Sequence, residues 1–243
     1  MRLTVSGDAE YRECDKHSSN SKPGKIKSRY TVESCYNAWK KDYPYYRAMK
    51  YDSPKSEGEI LPNKHGITDP RQIQKEEYRG FLRAELKFES EIERIDQFDW
   101  DLISSIHKTA LVHLYEFAGK LRQVNISKSG FLFPAAQHLG NAVQTYEQEF
   151  LKTIPQTIMT EMELIEITAP AHAELLFIHP FREGNGRTAR LFSNLVALKH
   201  GFERFHFEVI MESRMPEYIK AVQSAADKNY DPMKKLFRDL KSN

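Results

Sequence analysis

The stretch "IHPFREGNGRTARLF", residues 178–192, decides how the rest of the chain is read. A histidine closes an apolar run and a proline follows it. An acid then precedes a Gly-Asn-Gly turn, and two arginines stand three positions apart at the start of the next helix. Gly184 and Gly186 permit tight backbone turns that a Cβ would obstruct. The turn feeds a helix whose first N–H groups have no intrahelical acceptor, so those amides and the positive helix end form an anion site before any side chain is counted. Arg187 and Arg190 fall about 60° apart on that helix, and two permanent fork-shaped cations there suit a polyphosphate. Glu183 would repel such a ligand unless a divalent cation lay between them, which points to Mg²⁺ held by one carboxylate and phosphate oxygens. His179, titrating near neutrality in water, is the natural acceptor for the proton of a hydroxyl nucleophile. These pieces describe nucleotide-dependent group transfer onto a hydroxyl. Neither a Walker loop nor a kinase glycine loop can be drawn through the segment.

Composition bounds the setting. The 243 residues, 40% hydrophobic and 29% charged, suit one domain with an appendage or two small ones. A formal net charge of +2 gives no general nucleic-acid surface. Cys14 and Cys35 lack metal-ligand spacing, and such sparing use fits a reducing compartment. No apolar run spans a bilayer and no signal-peptide core opens the chain, so the expected location is the cytoplasm, with delivery into a host cell left open and no membrane partner.

Outward from the motif the chain reads as mostly α with one hairpin. Residues 1–30 form a flexible basic arm, and residues 31–56 an aromatic-rich extension that docks onto a larger body. From residue 57 a structured loop leads into helical periodicity over 71–90 and again over 99–119, with Gly119 as the stop. Val124 and Ile126 alternate with polar residues before Ser129-Gly130 and Phe131–Phe133, a short β-hairpin. Helices resume at 135–151 and 157–178, where Pro170 either kinks the segment or starts a new helix capped by Thr168. The motif helix runs from about Arg187 to His200, and two more helices, near 214–227 and 231–241, close the chain. Phe181 reads as an inward anchor, and His172 as a structural histidine.

"HPFREGNGR" at 179–187 resembles the signature of the Fic (filamentation induced by cAMP) family at every position, and a second arginine at 190 fits it too. "LPNKHGITDP" (61–70), "IHKTALVHLYEFAGKLRQVNI" (106–126) and "SKSGFLFP" (127–134) are similar to the loop, helix and flap that precede the motif there, so the resemblance covers about residues 57–241. It implies a Fic-type helical bundle over 57–243 with a hairpin flap beside the active site, and a protein adenylyltransferase that moves AMP from Mg-ATP to a Tyr, Ser or Thr hydroxyl of a target protein. By position, His179 would deprotonate the target and Glu183 would hold Mg²⁺. Gly184, Asn185 (backbone and side chain) and Gly186 would cradle the α- and β-phosphates, and Arg187 and Arg190 would reach the terminal phosphates. The flap at Val124, Asn125, Ile126, Ser127 and Lys128 would align an extended target segment by strand addition.

Many relatives are restrained by a helix carrying Ser/Thr-x-x-x-Glu-Gly/Asn. Here "SPKSEG", Ser53 to Gly58, is the one formal match and runs straight into a loop; "SAADKN" from Ser224 has Lys228 where the glutamate should be. The expectation is inhibition by a separate small antitoxin. Two alternatives stay open: a nucleotide-binding interaction module, and transfer of another phosphate-containing group. Gly186 argues against phosphate transfer, since a relative that transfers phosphate has lysine there.

Overall fold

The computed structural model describes residues 60–128 and 130–241. The arm, the aromatic extension, both cysteines and the Ser53–Gly58 match lie outside the described residues, as does Ser129.

The described fold is helical, with one two-stranded antiparallel sheet. Asn63 shapes the entry loop: its carboxamide oxygen accepts the Ile67 N–H at 2.9 Å and its amide donates to the Ile67 carbonyl at 2.8 Å. α1 (Pro70–Ser90) begins where Asp69 accepts the Arg71 N–H, with Pro70 in the first turn. It buries Ile73, Glu77, Gly80, Phe81, Ala84 and Phe88, a stripe at helical spacing that contains one acid. α2 (Trp100–Leu111) is capped by Asp99. The two helices meet at Gly80, where a Cβ would lie 1.9 Å from the Ala110 carbonyl oxygen; only a bare backbone allows this approach.

α2 ends at Leu111, not at Gly119 as periodicity suggested. The chain folds back through successive turns, and its far end at Gly119 is pinned to the helix through both backbone groups. Ser104 Oγ donates to the Gly119 carbonyl at 2.8 Å, and the Gly119 N–H donates to His107 Nδ1 at 2.7 Å. Further on, β1 (Ser127–Lys128) pairs with β2 (Phe131–Leu132), Ser127 opposite Leu132 and Lys128 opposite Phe131. α3 (Leu139–Tyr146) occupies the middle of the expected 135–151 helix. A 3₁₀ turn leads into it and a wide π-turn at Glu147–Leu151 follows.

α4 (Glu161–Ile178) is the central element. Thr160 caps it by accepting the Glu163 N–H, and Pro170 sits inside one continuous helix. Thr168 is buried within that helix, which corrects its reading as a cap. Apolar burial on nearly every side of α4 supplies what the proline removes from the backbone ladder. α5 (Asn185–Lys199) starts two residues before the expected Arg187 because Gly184 already supplies the N-terminal turn. A short turn of helix that periodicity missed, α6 (Phe207–Val209), leads through a π-turn into α7 (Met215–Ser224). α8 (Asp231–Asp239) lays Met233, Leu236 and Phe237 into the core. No helix among the described residues is long and apolar enough to cross a membrane.

Candidate active site

The site is built on the reversal between α4 and α5. His179 ends α4 in the left-handed conformation (φ 51°, ψ 57°), a place usually taken by glycine because a Cβ costs about 1–2 kcal/mol there. Several contacts hold it. Its N–H donates to the Leu175 carbonyl at 3.1 Å, and its carbonyl accepts from Arg122 Nε at 2.8 Å. Its ring Nδ1 lies 3.0 Å from the Leu176 carbonyl, which accepts a proton and cannot give one. The proton therefore resides on Nδ1, and Nε2 carries the basic lone pair. The Phe133 ring covers the imidazole with centroids 4.1 Å apart. Burial pushes its pKa down to about 3, and the positive charges of Lys128 and Arg122 add to that against the Leu176 bond. The ring is neutral across the physiological range.

The turn is closed by its own residues. Phe181 stacks between Trp100 at 5.5 Å and His107 at 3.9 Å. Asn185 takes both backbone groups of Phe181, accepting its N–H and donating to its carbonyl, each at 2.8 Å. This corrects one expectation: the Asn185 side chain is buried and committed to the loop, so only its backbone faces the anion position. His107 Nε2 donates to the Glu183 carbonyl at 2.9 Å. Gly184 (φ +81°) packs so closely that a Cβ would meet Leu111 at 3.0 Å and Phe81 at 3.2 Å. The first amide–carbonyl bond of α5 is Thr188 to Gly184, so the amides of Asn185, Gly186 and Arg187 precede the helical ladder.

Charges converge on that helix end. Arg187 pairs with Glu77 of α1 at 2.9 Å, approaches Glu183 at 3.4 Å and lies 4.7 Å over the Phe81 ring. Arg190 folds back toward the helix start, its guanidinium 3.2 Å from where a Gly186 Cβ would be. The two arginines therefore diverge, one toward α1 and one over the glycine. Glu183 also accepts the Gly184 N–H at 2.9 Å. Burial raises its pKa, the Glu77 carboxylate raises it further, and Arg187 opposes both. A carboxylate so placed is favoured by an added cation.

The hairpin is shorter than expected. Of the five expected flap residues, Ser127 and Lys128 enter the ladder. Ile126 is buried, and its carbonyl accepts the Phe133 N–H at 3.2 Å. Asn125 Oδ1 accepts the Ala136 N–H at 2.9 Å, and the Val124 carbonyl accepts from Arg122 at 2.7 Å. Those three residues form the root of the hairpin, and its projecting apolar group is Leu132, 77% exposed.

Glu77, His107 and Arg122 were not singled out from the sequence. Two carried a signal, since Glu77 and His107 sit on the buried stripes of amphipathic helices where a polar residue needs a partner. Arg122 carried none. Its guanidinium reaches the carbonyls of His179, Val124 and Pro134 at 2.8, 2.7 and 2.5 Å.

Residues 97–197 match the model of the Fic/DOC family. This region is similar to a Fic domain. The chain is 32% identical over 112 residues to a protein adenylyltransferase Fic of Nematostella vectensis, covering 46% of this chain and 25% of that protein. It is 28% identical over 195 residues to a protein adenylyltransferase of Bartonella henselae, covering 74% and 35%. It thus spans about a quarter to a third of the length of these curated relatives. The crystal structure of BepC, a VirB-translocated effector from Bartonella tribocorum with bound AMPPNP, shares the fold with a TM-score of 0.59 and 22% identity, covering 76% of this chain and 94% of that one. The matched region holds the α4–α5 reversal and the hairpin described above.

Proposed function

We propose that the unit spanning 57–243 transfers AMP from Mg-ATP to a Tyr, Ser or Thr hydroxyl of a target protein. The observation that carries the reading is His179. A non-glycine residue in a left-handed turn, its tautomer fixed by Leu176, stands directly before a helix start that presents Asn185, Gly186 and Arg187 amides. Backbone cost is accepted there for a side chain, which is the mark of a functional position. The adenylyltransferase names of the relatives and the AMPPNP in the BepC structure support the same chemistry.

In this reading the amides of Asn185, Gly186 and Arg187 line the phosphate cradle, the Gly184 N–H being taken by Glu183, and Arg187 and Arg190 approach the terminal phosphates from two sides. Mg²⁺ fits the donor set, because the buried Glu183 carboxylate gains from a hard cation that phosphate oxygens also ligate. When bound, it would screen the charge of the departing pyrophosphate. The target oxygen attacks the α-phosphorus, its proton passes to His179 Nε2, and the bond from the α-phosphorus to the bridging oxygen breaks to release pyrophosphate. A polyphosphate beside the imidazole raises its basicity by favouring the protonated ring, so the base strengthens when nucleotide is present. The hairpin aligns the target as an added strand, Ser127 and Lys128 supplying backbone and Leu132 an apolar contact.

The test is incubation of the chain and a host lysate with ATP labelled at either the α- or the γ-phosphate. Protein label from the α-position alone, lost in His179→Ala, is the expected result. Label from the γ-position would establish phosphate transfer instead. Tight nucleotide binding with no label from either position would establish an interaction module. Restraint is assigned to a separate small antitoxin protein, supported by Lys228 at the acid position of the C-terminal near-match. Glu57→Gly is then expected to leave activity unchanged, and strong activation by that change would place the restraint within Ser53–Gly58.

A further inference from the structure

We propose that Glu77, on α1, is a positioning residue that competes with Glu183 for Arg187 and so leaves the Glu183 carboxylate only weakly paired and open to a divalent cation. The proposal rests on the nucleotide-binding reading of the site. Glu183 stands just before the N-cap of α5 and Arg187 in its first turn, close enough to pair with each other. Left to themselves they would neutralise one another, and the residue best placed to hold Mg²⁺ would be spent on a guanidinium. One nitrogen serves both acids, unequally: Arg187 Nη2 lies 2.9 Å from Glu77 Oε2 and 3.4 Å from Glu183 Oε1, so Glu77 holds the shorter bond.

Glu77 is itself fixed. Its other oxygen accepts the Tyr115 hydroxyl at 2.5 Å, so each carboxylate oxygen has a defined partner. The acid sits on the buried stripe of α1, one turn after Ile73 and one turn before Phe81, and the Phe81 ring supports the Arg187 guanidinium at 4.7 Å. The contact of α1 with α2 at Gly80 locks the height of that stripe against the site. A guanidinium has five N–H donors in a planar fork, so the bond to Glu77 leaves Arg187 able to meet a phosphate as well. Glu77 thereby sets the direction of Arg187 and, through it, how tightly Glu183 is paired.

The sign of the metal dependence separates this role from a merely structural one. Fluorescent ATP-analogue binding is measured on the full chain at increasing Mg²⁺ and again in chelator, for wild type, Glu77→Gln and Tyr115→Phe. In Glu77→Gln, the full charge of Arg187 is left to Glu183, and that pair tightens. The Mg²⁺ concentration for half-maximal binding is expected to rise about tenfold, which corresponds to about 1.4 kcal/mol. Binding in chelator is expected to hold at the wild-type level or improve, since the repulsion between Glu183 and phosphate is now neutralised. Tyr115→Phe keeps the carboxylate and loosens only its anchor, so it is expected to shift the Mg²⁺ requirement the same way by about two- to threefold. Equal weakening with and without Mg²⁺, or an unchanged Mg²⁺ requirement in Glu77→Gln, overturns the proposal. A wild-type chain that binds no nucleotide at all would instead overturn the functional reading beneath it.

Discussion

Two histidines on α4, seven residues apart, differ in what their surroundings leave them to do. Burial pushes both imidazoles down to about 3, so a depressed pKa does not tell them apart. His172, mid-helix, has both ring nitrogens spoken for: Nδ1 lies 2.8 Å from Ser193 Oγ, and Nε2 lies 2.6 Å from the Tyr218 hydroxyl. Phe207 and Phe237 pack on its faces. His179 stands past the last helical turn, with a left-handed backbone and Nδ1 bonded to the Leu176 carbonyl. A titrating group in a core is a cross-link when hydrogen bonds use both ends. It is a candidate reagent when one end is used to aim the other.

The comparison can be broken most directly at the two rings. His179→Ala is expected to reduce α-label transfer about 10²- to 10⁴-fold, the scale of a lost general base, with nucleotide affinity and thermal midpoint close to wild type. His172→Ala should do the reverse. It strands Ser193 and Tyr218 and opens a core cavity, so urea unfolding should report a loss of about 2–4 kcal/mol. A large stability loss in the first variant, or none in the second, would erase the distinction drawn here.

Smaller effects sharpen it. Gly184→Ala places a Cβ on a φ of +81° against Leu111 and Phe81, and should cost about 1–2 kcal/mol in the same unfolding assay while lowering nucleotide affinity. Acid should act on both histidines alike. Each is neutral in the fold with a pKa lowered below its unfolded value near 6.5, so between those two values the unfolded chain binds more protons. Their contribution to stability is fully present above pH 6.5 and is lost as pH falls toward about 3, roughly 1 kcal/mol per histidine between pH 6.5 and 5.5. Denaturant midpoints across that range check it. Leu132→Ala is the mildest change. At an exposed position it should alter stability by less than about 0.5 kcal/mol and leave nucleotide binding intact, while target labelling falls a few-fold.

Much of this was legible in the sequence because it is local. The α1 and α2 stripes, the hairpin and the motif turn follow from neighbours within a few residues, and so does the inward Phe181. The misreadings have a common cause in contacts from farther away. α2 stops at Leu111 because Ser104 and His107 hold Gly119 from the side, not because any residue at 111 breaks a helix. Pro170 interrupts nothing because α4 is packed on nearly all sides. The Asn185 side chain looked available for phosphate because its acceptor and donor, the backbone of Phe181, are properties of the folded turn. Glu77 meets Arg187 across 110 residues and Arg122 meets His179 across 57, and no periodicity connects such positions.

The Arg122 guanidinium has a mechanical meaning. By gripping the peptide of His179 and both legs of the hairpin with one flat, rigid group, it ties the imidazole and the hairpin root together. Gly130 and Leu132 lie beyond that grip. Side chains there could be exchanged, and the imidazole would keep its place.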